Sequence, residues 1–203
     1  MTISTKLLKI TAFFTLILAT SCVETVVVGS IVGGALVVQE RSLDKTKDDV
    51  IIVTKLTADF VKNGLKNPGN SIDITVNEGR VLLTGISRDA DKTALASSLA
   101  WKVTGVKEVI DEIQLRDDED LKPKDFSKAF IDYLITSEVE IRLFFSKASL
   151  VNYKITTVGK VVYFLGTAAD SAEMQKAIAI AAKTRGVTRV VNYLILADDS
   201  RRK

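Results

Sequence analysis

Asn77-Glu78-Gly79-Arg80-Val81-Leu82-Leu83-Thr84-Gly85 and Val158-Gly159-Lys160-Val161-Val162-Tyr163-Phe164-Leu165-Gly166 are two versions of one stretch. Each is followed by a run with helical patterning and then by a second glycine motif. These motifs are Gly105-Val106-Lys107-Glu108-Val109-Ile110 and Gly186-Val187-Thr188-Arg189-Val190-Val191. Gly85 to Gly105 is 20 residues, and so is Gly166 to Gly186. A shared spacing between matched apolar runs marks an internal duplication with a period of about 81 residues. That is too long for a solenoid repeat, so it implies two copies of one small domain.

Working outward, the first copy reads as a domain over residues 44–116. Val50, Val53, Leu56, Thr57 and Phe60 recur at helical spacing, which predicts an amphipathic helix over 49–62. Asp48 and Asp49 are placed to cap and charge its start. Asn63-Gly64 and Asn67-Pro68-Gly69-Asn70 stop it. Ile72, Ile74 and Val76 alternate with polar residues as a half-buried strand. A turn at 77–80 leads into an antiparallel strand through Val81 and Leu83. Asp89 and Asp91 open a second helix with Leu95, Leu99 and Val103 on one face. Gly105 ends it, and Val106 to Ile113 is the last strand. The order is α-β-β-α-β, an α+β unit with a three-stranded mixed sheet covered by helices on one face.

The acidic run Asp117-Asp118-Glu119-Asp120 (linker 117–121) separates it from a second unit over 122–197. Pro123 suits a helix start. Phe126, Ala129, Phe130, Tyr133 and Leu134 mark that helix's buried side. Strands follow over 149–157 and 161–165, joined by a turn one residue longer than in the first copy. A second helix, with Met174, Ala177, Ile178 and Ala181 inward, ends at Gly186. The last strand runs from Val187 to Leu196, and 198–203 is a polar tail. Gly79, Gly85, Gly105, Gly159, Gly166 and Gly186 are thus the structural glycines of the two copies.

The start of the chain has a different character. Lys6 and Lys9 precede an apolar run from Ile10 to Ala19, then Ala19-Thr20-Ser21-Cys22. This is the layout of a secretory signal peptide over 1–21, too short for a spanning helix. A lone cysteine directly after such a leader resembles the bacterial lipobox, which implies cleavage before Cys22 and acylation of that residue. Ala19 stands where a leucine is usual. Val26 to Val38 is a Val/Gly-rich juxtamembrane stretch within a segment and linker over 22–43.

Composition narrows the function. The chain has 203 residues, 47% hydrophobic and 26% charged, which is globular. Without Lys6 and Lys9 its formal charge falls from +3 to +1, far from the basic footprint of a nucleic-acid binder. Histidine is absent and Cys22 is the one cysteine. That removes the commonest general base, any intrachain disulfide and any thiolate metal cluster. There is no Gly-rich phosphate loop or serine elbow, and the carboxylate pairs Asp89/Asp91 and Asp111/Glu112 are explained by capping or solvation. The expectation is a protein that is not an enzyme and needs no metal or other cofactor.

The motifs at 81–85 and 162–166, with those at 105–113 and 186–194, resemble the BON domain. The whole layout (leader, Cys22-Val23, Val/Gly-rich segment, Arg41-Ser42, two units) is similar to the dual BON-domain lipoproteins of the bacterial outer membrane. The resemblance implies two tandem BON domains and an envelope-integrity role at the periplasmic face of the outer membrane. It also implies binding of anionic phospholipid through the first helix of the second domain. There the family has an exposed tryptophan beside an apolar residue, where this chain has Asp125 and Phe126. The lipid-binding set it implies here is Lys122, Lys124, Phe126, Lys128 and Phe130. The two phenylalanines read either as apolar insertion or as core, with the lysines as phosphate partners or ordinary solvated charge. The alternative to lipid binding is an adaptor for another envelope protein, such as the β-barrel assembly machinery, touching the membrane only through Cys22. The sequence leaves the oligomeric state open.

Overall fold

The computed structural model describes residues 43–67, 70–116, 126–146 and 152–202. Cys22, the leader, the Val/Gly-rich segment, the acidic linker, Lys122 and Lys124 lie outside them.

The first domain runs α1 (Leu43–Lys62), β1 (Lys66–Asn67), β2 (Asn70–Asn77), β3 (Arg80–Ser87), α2 (Ala90–Trp101) and β4 (Glu108–Leu115). The second runs α3 (Phe126–Phe145), β5 (Tyr153–Val158), β6 (Val161–Ala168), α4 (Ser171–Ala182) and β7 (Arg189–Leu196), with a 3-10 turn at Ser200–Arg202. Both have the expected α-β-β-α-β order. β2–β3 and β5–β6 are antiparallel, while β3–β4 and β6–β7 are parallel. The first sheet gains one strand over the expected three. The short β1 pairs with the start of β2 through Lys66↔Ser71 and Asn67↔Asn70. Asn67 Oδ1 accepts the Asn70 amide at 2.9 Å beside this pairing.

The helices cover one face of each sheet. Ile52, Leu56 and Phe60 of α1 pack with Ile72, Val76, Val81 and Leu83, and with Ala96 and Ala100 of α2. In the second domain Ile135, Val139 and Leu143 of α3 pack with Tyr153, Val162, Phe164 and Leu194, and with Ala177 and Ala181 of α4. Alanines let the second helix of each unit lie close to its sheet. Ile52/Ile135, Leu56/Val139 and Phe60/Leu143 are each 83 residues apart, so the repeat reaches into the cores.

Several inward assignments change. Val50, expected inside, is 60% exposed. Phe130, Tyr133 and Leu134 are exposed, and so is Ala129. The apolar residues of α3 fill two opposite stripes, and the periodicity selected the outer one. Asp49 is not a helix cap: α1 begins at Leu43, a turn and a half earlier, and Asp49 is buried. Its Oδ2 and Oδ1 accept the backbone N–H groups of Glu78 and Gly79, each at 2.8 Å. Asp132 does the same for Gly159 and Lys160, again at 2.8 Å.

Those bonds explain the hairpin turns. Glu78 and Gly79 have φ of 55° and 80°, and Gly159 and Lys160 have 57° and 65°. Each is a two-residue turn with two left-handed positions, the geometry that follows strand twist. The second turn is therefore not longer than the first; the glycine occupies the other of its two positions. A non-glycine residue there costs about 1 kcal/mol. A carboxylate accepting two N–H bonds holds the turn in place and offsets that cost.

The uncovered faces of the two sheets pack on each other. Leu82 and Ile110 of the first domain meet Val158, Tyr163 and Leu165 of the second. Polar bonds rim this contact. The buried Arg80 pairs with Glu108 in its own domain and donates to the Tyr193 carbonyl at 2.8 Å. Tyr193 donates its hydroxyl to Glu112, and burial with that bond pushes its phenol up to about 12. The tail joins in: Arg202 makes a two-pronged pair with the buried Glu78 at 3.0 Å. The result is four layers, helix–sheet–sheet–helix, with α1 and α3 in opposite outer layers.

Candidate functional site

Among the described residues, helix α3 exposes seven large hydrophobic side chains, more than any other element. Its inner face is spent on Ile135, Val139 and Leu143, all 4% exposed or less. At about 100° per residue, Phe130, Leu134 and Ile141 fall on the opposite side, with Tyr133 and Phe144 at its border. Phe130 is 59% exposed, Tyr133 66% and Leu134 48%. A helix apolar on both sides normally lies inside a larger structure. An aromatic cluster of this kind on a surface marks a site of association.

Glu140 is exposed at the edge of this stripe, one helical turn before Phe144. Lys128 is exposed in the first turn of α3. Glu138 accepts from Arg142 at 2.6 Å, one helical turn away, so that pair is internally neutralised. Asp132 is turned to the hairpin, as described above.

The expected lipid-binding set is therefore distributed as follows. Phe130 and Lys128 are exposed on α3, and Phe126 begins that helix. Lys122 and Lys124 lie outside the described residues. Reading the sequence missed Tyr133 and Leu134 as outer-face residues. The signal was present: Asp132 and Ile135 repeat Asp49 and Ile52, and aligning the helices on those pairs turns Phe130 outward. The six structural glycines all have positive φ. At Gly85 and Gly166 a Cβ would lie 2.0 and 2.1 Å from the carbonyl oxygens of Ser71 and Asn152, so only glycine lets the neighbouring strand approach.

The family model for the BON domain matches residues 48–117 and 135–198. The chain belongs to the BON domain family. The second match begins at Ile135, so the part of α3 bearing Phe130, Tyr133 and Leu134 lies upstream of the matched BON region. Among curated relatives, an uncharacterized protein in the gshII 5' region of Anaplasma centrale is 34% identical over 157 residues, covering 77% of this chain and 99% of that one. The outer membrane lipoprotein DolP of Haemophilus influenzae is 27% identical over 179 residues, covering 87% and 89%. This is therefore a dual-BON, DolP-like protein. Among solved structures, the C-terminal domain of CdsD from the Chlamydia trachomatis type III secretion system aligns over 71% of this chain and 96% of that chain. It does so at 14% identity and a TM-score of 0.28, too low to support an argument. Among the described residues no helix is long and apolar enough to cross a membrane.

Proposed function

We propose that this chain is a non-enzymatic, lipid-anchored envelope protein on the periplasmic face of the outer membrane. It binds anionic phospholipid through the N-terminal half of α3 and so helps keep that membrane intact. The observation that carries the reading is the exposed cluster of Phe130, Tyr133 and Leu134 on a helix whose other side is already a complete core. Aromatic and aliphatic side chains on an outward helix face suit the headgroup–acyl boundary of a bilayer. Lys128, with Lys122 and Lys124 just upstream, adds cations at the same end. Each lysine near an anionic surface contributes about 1 kcal/mol.

The anchor is Cys22, acylated after removal of the leader. Several acyl chains hold far more firmly than one, so the anchor fixes location and α3 reads lipid composition. The relative that carries the name outer membrane lipoprotein supports this placement.

The test uses a chain that starts at Gln39. It lacks Cys22 and retains both cores, which lie wholly within residues 43–202. Co-sedimentation with vesicles is compared with and without phosphatidylglycerol. The expected result is binding that needs the anionic lipid, weakens with salt and is lost in Phe130→Asp with an unchanged circular dichroism spectrum. Absence of binding at low salt overturns the reading. The adaptor role, with Cys22 as the one membrane contact, then takes its place.

A further inference from the structure

The two sheet faces that meet between the domains are filled less well than either core. Val76, Val81 and Leu83 point to the helices of their own domain, so their strand neighbours Asn77, Leu82 and Thr84 point to the other domain. Phe164 and Ala168 leave Leu165 and Thr167 facing the contact in the same way. The buried apolar set between the sheets is five side chains, against eleven and ten in the two cores. Asn77, Thr84 and Thr167 share those faces and are 1% exposed or less. Neither amide atom of Asn77 and neither threonine hydroxyl has a hydrogen-bond partner in the protein. Such atoms weaken the closed contact and gain water when the faces separate. We propose that the two domains part at this contact about a hinge at Arg116, and that Arg202 of the tail is the latch that holds them closed.

Hinge and latch lie at opposite ends of the first sheet. Strand β4 ends at Leu115, paired with Ser87, and from Arg116 the chain crosses to the second domain. Arg116 lies against the hairpin of that domain: a Cβ at Gly159 would stand 3.3 Å from its Nη2. The other end of β4 is Glu108, paired with Arg80, seven residues and about 23 Å away. There Arg202 donates from Nε and Nη2 to the two carboxylate oxygens of Glu78, each at 3.0 Å. The tail is folded to deliver that side chain. The Asp199 N–H donates to the Leu196 carbonyl at 3.0 Å, and the Arg202 N–H to the Asp199 carbonyl at 3.1 Å. Arg202 Nη1 donates to the Ala197 carbonyl at 2.6 Å.

Other bonds cross the contact, but each has a neutral group on one side. Arg80 donates to the Tyr193 carbonyl at 2.8 Å, the Tyr193 hydroxyl donates to Glu112, and Gln114 donates to the Tyr163 hydroxyl at 3.4 Å. The latch joins two full charges through two bonds, which is the stronger kind of tie. Each domain keeps its own fold when they part. Asp49 holds the Glu78 turn from within the first domain, and Asp132 holds the Gly159 turn from within the second. Parting returns Asn77, Thr84 and Thr167 to water and bares Leu82, Ile110, Tyr163 and Leu165. This device does not depend on lipid binding.

The chain from Gln39 has no cysteine, so single introduced cysteines report exposure by their rate of reaction with a thiol reagent. Thr84→Cys lies on the facing surface, while Val81→Cys and Val139→Cys lie one in each core. Thr84→Cys should react faster than the two core cysteines, because parting exposes it without unfolding either domain. Adding Arg202→Ala should raise the Thr84→Cys rate by roughly tenfold or more, since bonds between charged groups are lost. The two core rates should not change. If Arg202→Ala leaves the Thr84→Cys rate as it was, the tail holds nothing closed and the proposal falls. If all three cysteines accelerate alike, the faces are reached by unfolding rather than by parting, and the proposal falls as well.

Discussion

Helices α1 and α3 open the two copies of one domain, and they agree on one side and differ on the other. On the inner side Asp49, Ile52, Leu56 and Phe60 are matched by Asp132, Ile135, Val139 and Leu143. The carboxylates hold equivalent turns and the apolar residues cover equivalent sheet faces. On the outer side α1 presents Lys47, Thr54, Ala58 and Lys62 where α3 presents Phe130, Ser137, Ile141 and Phe145. α1 also exposes Val50, Ile51 and Val61, at the positions of Tyr133, Leu134 and Phe144, so the contrast lies at Phe130, Ile141 and Phe145, where α1 has Lys47, Ala58 and Lys62. One chain thus contains its own control. What both copies share is what the fold requires; what only α3 has is surplus to folding and is available for association.

The largest effect should come from the shared features. Replacing Gly85 or Gly166 by alanine drives a Cβ into a backbone carbonyl of the adjacent strand and imposes a positive φ on a side-chain-bearing residue. Either change should destabilise by at least about 3 kcal/mol, near the upper end for single substitutions. Urea denaturation should show the two losses to be alike. Unequal losses would mean that the copies do not rely on the same strand approach.

The turn carboxylates rank next and break the likeness in a graded way. Asp49 is 5% exposed, whereas Asp132 is partly open to solvent. Both accept two backbone N–H bonds that alanine cannot replace. Asp49→Ala should cost about 2–3 kcal/mol and Asp132→Ala about 1–2, because hydrogen bonds to a charged group weaken where water competes. Equal costs in the same denaturation series would show that burial does not control the contribution of these caps.

These two aspartates also show how far the sequence could be read. The duplication, the element order and the turn glycines were legible because glycine spacing and strand alternation are local signals. The role of Asp49 was not. An acidic residue beside an apolar run matches a helix cap, and only the tertiary approach of α1 to the 77–80 hairpin reveals it as a partner for a turn 29 residues away. The inner face of α3 was misread for a related reason. Phe130, Tyr133 and Leu134 satisfy helical periodicity as well as Ile135, Val139 and Leu143 do, and periodicity has no means of choosing between two apolar stripes. The short β1 was invisible because two polar residues, Lys66 and Asn67, carry no strand pattern. The sheet-to-sheet contact was hidden because polar residues such as Arg80 and Tyr193 make up much of its rim.

The smallest effect on stability is the one that bears most on function, and it comes from exchanging residues between the copies. On the inner side, Leu143→Phe places the larger side chain of position 60 into a fully buried site and should cost about 1–3 kcal/mol by overpacking. On the outer side, Phe130→Lys, Ile141→Ala and Phe145→Lys give α3 the residues of α1, and the triple variant should stay within about 0.5 kcal/mol of the parent. The same variant should lose vesicle binding, although it folds as well as before. A destabilisation of several kcal/mol would instead show that the outer stripe of α3 is covered by protein in the folded chain, and the contrast between the two helices would then be one of packing rather than of purpose.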